Sequence, residues 1–432
     1  MSRSALISYG LVLVTALAAL ATGECPGRND KLIAGIRKGE NSGVDYHEVF
    51  RAAEELALLE IGAGAKERQR KDLIAAIRAL SRKSEFYSTQ RFVELVGSMN
   101  EAAIPDIMAT LEAEKRLSDQ EFKVFLYGLV RIPGARKKVI PKLRQMLTDA
   151  SSPLRKGLLE LALVRLGDES EQNMKAVVSN LNDSPIVFEL LVAITRMGPF
   201  ETKTSQIQDE LRKTIRAATI DGKDRKLDIP LLELAWLPQA LLSMNIDTAA
   251  LSPDLLSSLA DKSIESNNPA AAHFLMLLAR VQCSKGKGSD AIKRLSANWS
   301  KIFKAGSVFS HTEEIVYINM DECICSVLAS QLTTARGEEA EIIACLMECA
   351  GLKCRSGVDR LGRFIGTERK GERCVLAAKV IGRIASTKQL SVIDQLISSH
   401  KAEVRDELQK ARDNVDTATA QSPFYGVLKR TK

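Results

Sequence analysis

Ala103-Ile104-Pro105-Asp106-Ile107-Met108-Ala109-Thr110-Leu111 and Val139-Ile140-Pro141-Lys142-Leu143-Arg144-Gln145-Met146-Leu147 are two copies of one phrase, 36 residues apart. A looser third copy places Met174, Val177, Val178 and Leu181 34 residues after the second. Apolar residues at i, i+3 and i+7 mark one face of a helix. Recurrence at this period marks stacked helical units, none of which can bury its apolar face alone. The phrase predicts Ile104, Leu111, Ile140 and Leu147 as core, and Pro105 and Pro141 as first-turn residues of their helices.

The flanking punctuation agrees. Ser118-Asp119-Gln120-Glu121 is a capping-box pattern, in which hydroxyl and carboxylate each satisfy a backbone N–H at a helix start. Ser152-Pro153 and Ser184-Pro185 pair an N-cap residue with proline at the first helical position. The following helices are expected to end at Arg165-Leu166-Gly167 and Arg196-Met197-Gly198, where glycine takes the left-handed conformation cheaply.

The chain has 432 residues, too many for one compact core, and only 5% of them are aromatic. Its apolar content is mostly Leu, Ala, Ile and Val, which suits helices better than strands. Arg3 followed by the apolar run Leu11 to Ala21, with small residues at Ala19 and Ala21, reads as an export signal over 1–21. An uncleaved membrane anchor is the competing reading. Residues 22–43 read as a linker holding one weak helix around Leu32 to Ile36, 44–411 as the helical array, and 412–432 as a flexible tail. Asn268 to Phe303 also admits a TPR-like helix pair.

The repeat phrase and the turns at Asp149 to Pro153 and Asp183-Ser184-Pro185 resemble the HEAT-repeat family over residues 88–217. That resemblance implies an all-α fold, a right-handed α-solenoid of stacked antiparallel helix pairs. It also implies that the second helix of each pair, starting near Ile104, Ile140 and Met174, lines a concave recognition surface. HEAT-like repeats occur in bilin lyases too, so a lyase-type enzyme is the rival expectation, with an anchored envelope assembly factor as a third.

Chemistry-bearing residues are sparse. Six of the eight cysteines fall between Cys323 and Cys374: Cys323, Cys325, Cys345, Cys349, Cys354 and Cys374. Buried core thiols, disulfides favoured by an oxidising compartment, and a metal site are the three readings. Cys323 aligns with Val316, Met320 and Val327, and Cys374 with Ala378 and Ile381, as core positions should. Cys345 and Cys349 share a helix face and suit a mutual bridge poorly. The C-x-C and C-x-x-x-C spacings, with no histidine nearby, match zinc weakly. His47, His273, His311 and His400 form no catalytic or metal-binding spacing. Gly286-Lys287-Gly288-Ser289 lacks the first glycine and the preceding strand of a phosphate-binding loop. No cofactor is expected.

The formal charge is +7, with both signs interspersed, a pattern that indicates neither nucleic acid nor a strong field. Arg68, Lys71, Arg78 and Arg82 project from one side of a predicted helix over 65–83, opposite Leu73, Ile77 and Leu80. They read either as a basic stripe for an acidic partner or as a solvated face. The expectation from sequence is therefore an exported, monomeric, non-catalytic binding or scaffolding module for a protein partner. It meets a membrane only if the leader stays uncleaved.

Overall fold

The computed structural model describes residues 28–40, 46–58, 66–82, 89–113, 117–168, 170–183, 186–200, 207, 209, 240, 253–268, 270–283, 288–302, 314, 316–368, 371–400 and 403–417. The leader, Cys25, His311, Ser184-Pro185 and the end of the tail lie outside them. Among the described residues the protein is all-α, with twenty α-helices and no strand. None of these helices is long and apolar enough to cross a membrane.

The first stack runs α1 (Arg28–Lys38), α2 (Tyr46–Leu58), α3 (Glu67–Ser81), α4 (Thr89–Gly97), α5 (Ile104–Glu112), α6 (Asp119–Leu129), α7 (Ala135–Asp149), α8 (Pro153–Arg165), α9 (Glu171–Asp183) and α10 (Val187–Arg196). The second runs α11 (Pro253–Glu265), α12 (Ala270–Cys283), α13 (Gly288–Ala297), α14 (Trp299–Ile302), α15 (Glu322–Leu332), α16 (Gly337–Ala350), α17 (Val358–Glu368), α18 (Glu372–Ile384), α19 (Leu390–Ser399) and α20 (Glu403–Thr417). Helices pack mainly on their next and next-but-one neighbours, as in a helical-repeat solenoid. In the first stack this produces two layers: α2, α4, α6, α8 and α10 in one, α1, α3, α5, α7 and α9 in the other.

The layers differ in burial. Every residue from Glu121 to Leu129 of α6 is buried, as is α10 from Leu190 to Arg196. In α5, α7 and α9 only one stripe is buried: Ile104, Ile107, Met108 and Leu111; Val139, Leu143 and Met146; Met174, Val177 and Leu181. The helices expected to line a recognition surface thus form the outer layer, each with an open face. The enclosed layer is the other one, because its helices are apolar nearly all round.

Local signals explain most boundaries. Ser118 accepts from Glu121 N at 3.2 Å while Glu121 Oε2 accepts from Ser118 N at 2.8 Å, completing the capping box of α6. Ser152 stands at the N-cap position of α8 without a side-chain capping bond, and Pro153 occupies its first turn. Gly167 and Gly198 take φ of +81° and +82° after α8 and α10. Pro105 sits in the first turn of α5, following a 3₁₀ turn over Glu101–Ala103. Pro141 departs from the expectation: it lies inside α7, which starts six residues earlier, behind Gly134 at φ +78°. In this copy the turn before the proline continues as α-helix, so the ring interrupts an established ladder. Ile140 and Leu147 are accordingly only half-buried, packing on the rim of the core.

At the chain ends, α1 buries Leu32 and Ile36 completely, so the stretch read as a linker contributes to the core. At the other end α20 continues to Thr417, past the expected boundary at 411, because Val415 is fully buried. In the 268–303 region α12 and α13 are a packed pair.

The two phrase prolines make a paired test. Pro141→Ala restores one main-chain hydrogen bond on an exposed face and is expected to stabilise the protein by about 1–3 kcal/mol. Pro105→Ala, at a position whose N–H has no helical acceptor, is expected to change stability by less than about 0.5 kcal/mol. Urea titrations of both variants check this, and equal effects would contradict the assignment of Pro141 to a helix interior.

Candidate functional site

Helix α2 carries Arg51, Glu54 and Glu55 at i, i+3 and i+4, one polar stripe on an otherwise apolar helix, and all three are at most 1% exposed. Beside Arg91 of the first stack, the partners of Arg51 and Glu54 lie some 300 residues away in the second stack. Glu54 accepts from Arg91 Nε at 2.7 Å, from Arg383 Nη1 and Nη2 at 3.2 and 3.1 Å, and from Leu352 N at 3.0 Å. Burial alone would raise the Glu54 carboxyl, but Arg383 and Arg91 outweigh it and hold the group at about 2. Gly351 makes the approach possible: its φ is +54°, and a Cβ there would overlap the Glu54 carboxylate.

Arginines from the first stack also cap helix ends in the second. Arg51 pairs with Glu55 at 2.9 Å and donates to Arg383 O at 2.7 Å and to Ala385 O, closing the C-terminus of α18. Arg91 donates to Cys349 O at 2.7 Å, in the last turn of α16. Its guanidinium lies over the Tyr317 ring at 4.1 Å, with Lys353 Nζ 3.9 Å from the same ring. Tyr317 in turn donates to Glu94 Oε2 at 2.6 Å. Further along, Glu314 accepts from Arg196 at 2.5 Å and from Gln90 N at 3.2 Å. These groups are charged or polar, enclosed, and paired chiefly with one another. They form a structural seam between the stacks, with no solvent-facing reactive atom.

The open feature is a groove between α3 and α5. It encloses about 340 Å³ and is lined by Lys71, Ile74, Ala75, Arg78, Ala79, Arg82, Asp106, Ala109 and Thr110. Three of the four residues of the expected basic stripe stand in it, and Leu73, Ile77 and Leu80 are buried on the opposite face. Arg78 and Arg82 each donate Nε to the same oxygen of Glu121, at 2.9 and 2.8 Å. That carboxylate is 1% exposed, whereas the two arginine side chains are 31% and 52% exposed. Burial would raise Glu121, but the Ser118 N–H and the two guanidiniums bring it below the usual carboxylate range. Lys71 pairs with Glu67 at 2.7 Å, and Arg68 is exposed on the same helix outside the groove lining.

The cysteines resolve into three outcomes. Cys325 and Cys354, both fully buried, form one disulfide. Cys323 pairs with Cys283, which the sequence reading had not included. Cys323 is exposed in the first turn of α15, so its alignment with Val316 and Met320 does not carry it into the core. Cys345, Cys349 and Cys374 are buried thiols outside both bridges, which corrects their candidacy. Cys345 and Cys349 follow one helical turn on α16, a spacing that holds their Cβ atoms too far apart to bridge. No group of three metal-binding side chains occurs among the described residues. His400 is buried at the end of α19, with Nδ1 2.7 Å from Leu396 O and Nε2 3.0 Å from Ile365 O, tying α19 to α17.

Sequence reasoning missed the α2 seam and the second role of Glu121. The polar stripe at 51, 54 and 55 was a visible signal for the first. Nothing local pairs Glu121 with arginines 39 and 43 residues earlier.

No family model matches the chain, and no curated protein matches it. A solved structure titled as an engineered protein from the Northeast Structural Genomics Consortium aligns with 89% of this chain and 99% of its own, at 16% identity and a TM-score of 0.19. A TM-score that low does not indicate a shared arrangement.

Glu54→Gln keeps the shape but leaves Arg91 and Arg383 buried without their counter-charge. The expected cost is about 3–5 kcal/mol, read by urea unfolding. The folded-state pKa of Glu54 is depressed, so its contribution is complete above about pH 4.5 and lost as pH falls toward about 2. Stability measured across that window is expected to fall less steeply in Glu54→Gln than in the wild type.

Proposed function

We propose that this chain is an exported, HEAT-like helical-repeat protein that works without turnover, as a binding or scaffolding module for a protein partner. The observation that carries the reading is the contrast between its two sets of charges. Those of α2 and α4 are buried and consumed by the protein's own seam, whereas Arg78 and Arg82 on α3 stand in an outward-facing groove. Fixed cations in an open groove suit recognition of an anionic surface. Recognition is therefore assigned to the outer layer, which holds α5, α7 and α9, the helices to which the family resemblance gave that role.

Export is supported by the apolar run at Leu11 to Ala21 and by the two disulfides, which persist in oxidising compartments. The protein partner, the monomeric state and the absence of nucleic acid from its targets belong to the same reading. Sparse aromatics and interspersed charge fit poorly with nucleic-acid binding.

The binding claim is tested by photo-crosslinking the full chain in its cells of origin. A photoreactive residue in place of Ala75, in the groove, is expected to give a discrete protein adduct, and one in place of Lys410, on exposed α20, is not. Adducts from Lys410 alone, or from neither position, would overturn the assignment. The export claim predicts that the unfolded, unreduced protein shows four fewer thiols than the same protein after reduction, two for each bridge. It also predicts an amino terminus beginning just after the Ala19 to Gly23 stretch. Equal thiol counts would refute the disulfides, and an intact Met1 would leave the anchored form standing.

A further inference from the structure

The groove has two chemically different ends. Lys71 and Arg82 are eleven residues apart on α3, so they stand about 16 Å from each other along the helix axis. Asp106 acts electrostatically on Lys71, which places it at the Lys71 end. Arg78 and Arg82 hold the other end, and Ala75, Ala79 and Ala109 lie along the groove with Ile74 buried beneath.

The Arg78–Arg82 end is preorganised. The oxygen of Glu121 that takes both Nε groups is fixed because the other oxygen is held by Ser118 N. Each guanidinium thereby loses much of its rotational freedom before any ligand arrives. Neither terminal Nη pair makes a hydrogen bond or ion pair to another described residue. Two forks, one helical turn apart, present parallel N–H donors of the geometry that carboxylates accept bidentately.

The charge balance selects among anions. Lys71, Arg78 and Arg82 face Glu67, Glu121 and Asp106, so the neighbourhood is close to neutral before binding. A dianion such as phosphate would be under-compensated and would meet the Asp106 carboxylate. A single carboxylate matched to the two Nη edges would not. The small side chains of Ala75, Ala79 and Ala109 let a polypeptide approach α3 and α5 closely.

We infer that the α3–α5 groove docks an acidic protein segment, one Asp or Glu carboxylate seated across the Nη groups of Arg78 and Arg82 and small apolar residues lying toward Lys71. This rests on the reading of the protein as a binding module and names the chemistry its partner presents.

The test uses the full chain and a fluorescein-labelled peptide of repeating Glu-Ala-Ala-Ala, read by fluorescence anisotropy at low ionic strength. Binding is expected, weakening with added salt, and the Lys-Ala-Ala-Ala peptide is expected not to bind. Arg78→Lys/Arg82→Lys keeps both charges, and so keeps Glu121 paired, but removes the forks. It is expected to weaken peptide binding about tenfold with an unchanged thermal unfolding midpoint. Ala75→Trp fills the groove while keeping both arginines in the chain and is expected to abolish binding. No binding of the acidic peptide, or equal binding by the double lysine variant, overturns the proposal. Inorganic phosphate competing at equal or lower concentration than the peptide's own carboxylate would indicate a simple ion site and overturn it as well. So would binding to phosphatidylglycerol vesicles that Ala75→Trp leaves intact while peptide binding is absent. Crosslinking from Ala75 in cells reports on the binding-module reading independently. Adducts there with no acidic-peptide binding would mean a partner of different chemistry, whereas loss of both would sink the broader reading.

Discussion

A carboxylate with no water must find its hydrogen-bond donors within the protein, and Glu54 finds all of them in other helices. Arg91 comes from α4, Arg383 from α18, and the Leu352 N–H from the turn after α16. Removing water from three charged groups costs more than most isolated ion pairs return, so the arrangement persists only because every lone pair is met. It also depends on Gly351 having no side chain, since any Cβ would stand where the carboxylate does. The buried Cys325–Cys354 bridge holds the same 3₁₀ turn over Gly351–Gly357 against α15. Local covalent restraint and long-range ion pairing therefore converge on one short segment.

From that point the rest of the seam follows. Once α2 is seated, Arg51 reaches the open carbonyls at the end of α18, and once α4 is seated, Arg91 reaches those at the end of α16. Positive side chains at helix C-termini both satisfy orphan carbonyls and oppose the negative end of the helix dipole. The device recurs within each stack, with Arg131 on Arg196 O and Arg373 on Thr333 O. Arginine recurs here as a helix cap supplied by a neighbouring unit. The α3–α5 groove is where that rule is relaxed: Arg78 and Arg82 are anchored by one nitrogen each, and their outer edges remain available.

Much of the architecture was legible from local patterns. The capping box at Ser118 and the glycine stops at Gly167 and Gly198 each involve residues within one helical turn and formed as read, and α8 starts at Ser152-Pro153 although the Ser152 hydroxyl makes no capping bond. The misreadings have a common cause. Pro141 repeats Pro105 in sequence, but whether the preceding turn is 3₁₀ or α depends on packing outside the phrase. Cys323 sits at an apolar spacing, but the helix of which it is part starts at Glu322 and turns the residue outward. The basic stripe was placed on the right face of the right helix. That two of its members share one buried carboxylate was not legible, because Glu121 already had a complete local explanation as a cap.

The sequence by itself determined that the chain is helical, and many of the helix ends and core stripes, since these rest on i, i+3 and i+4 spacing and on residues that cap their own turn. Only the tertiary structure decided which layer is enclosed, which cysteines bridge, and which charges are consumed within the protein. Those outcomes depend on partners between 29 and 329 residues apart. A carboxylate is a surface solubiliser or a buried keystone according to whether two distant arginines arrive beside it, and no local pattern encodes that arrival.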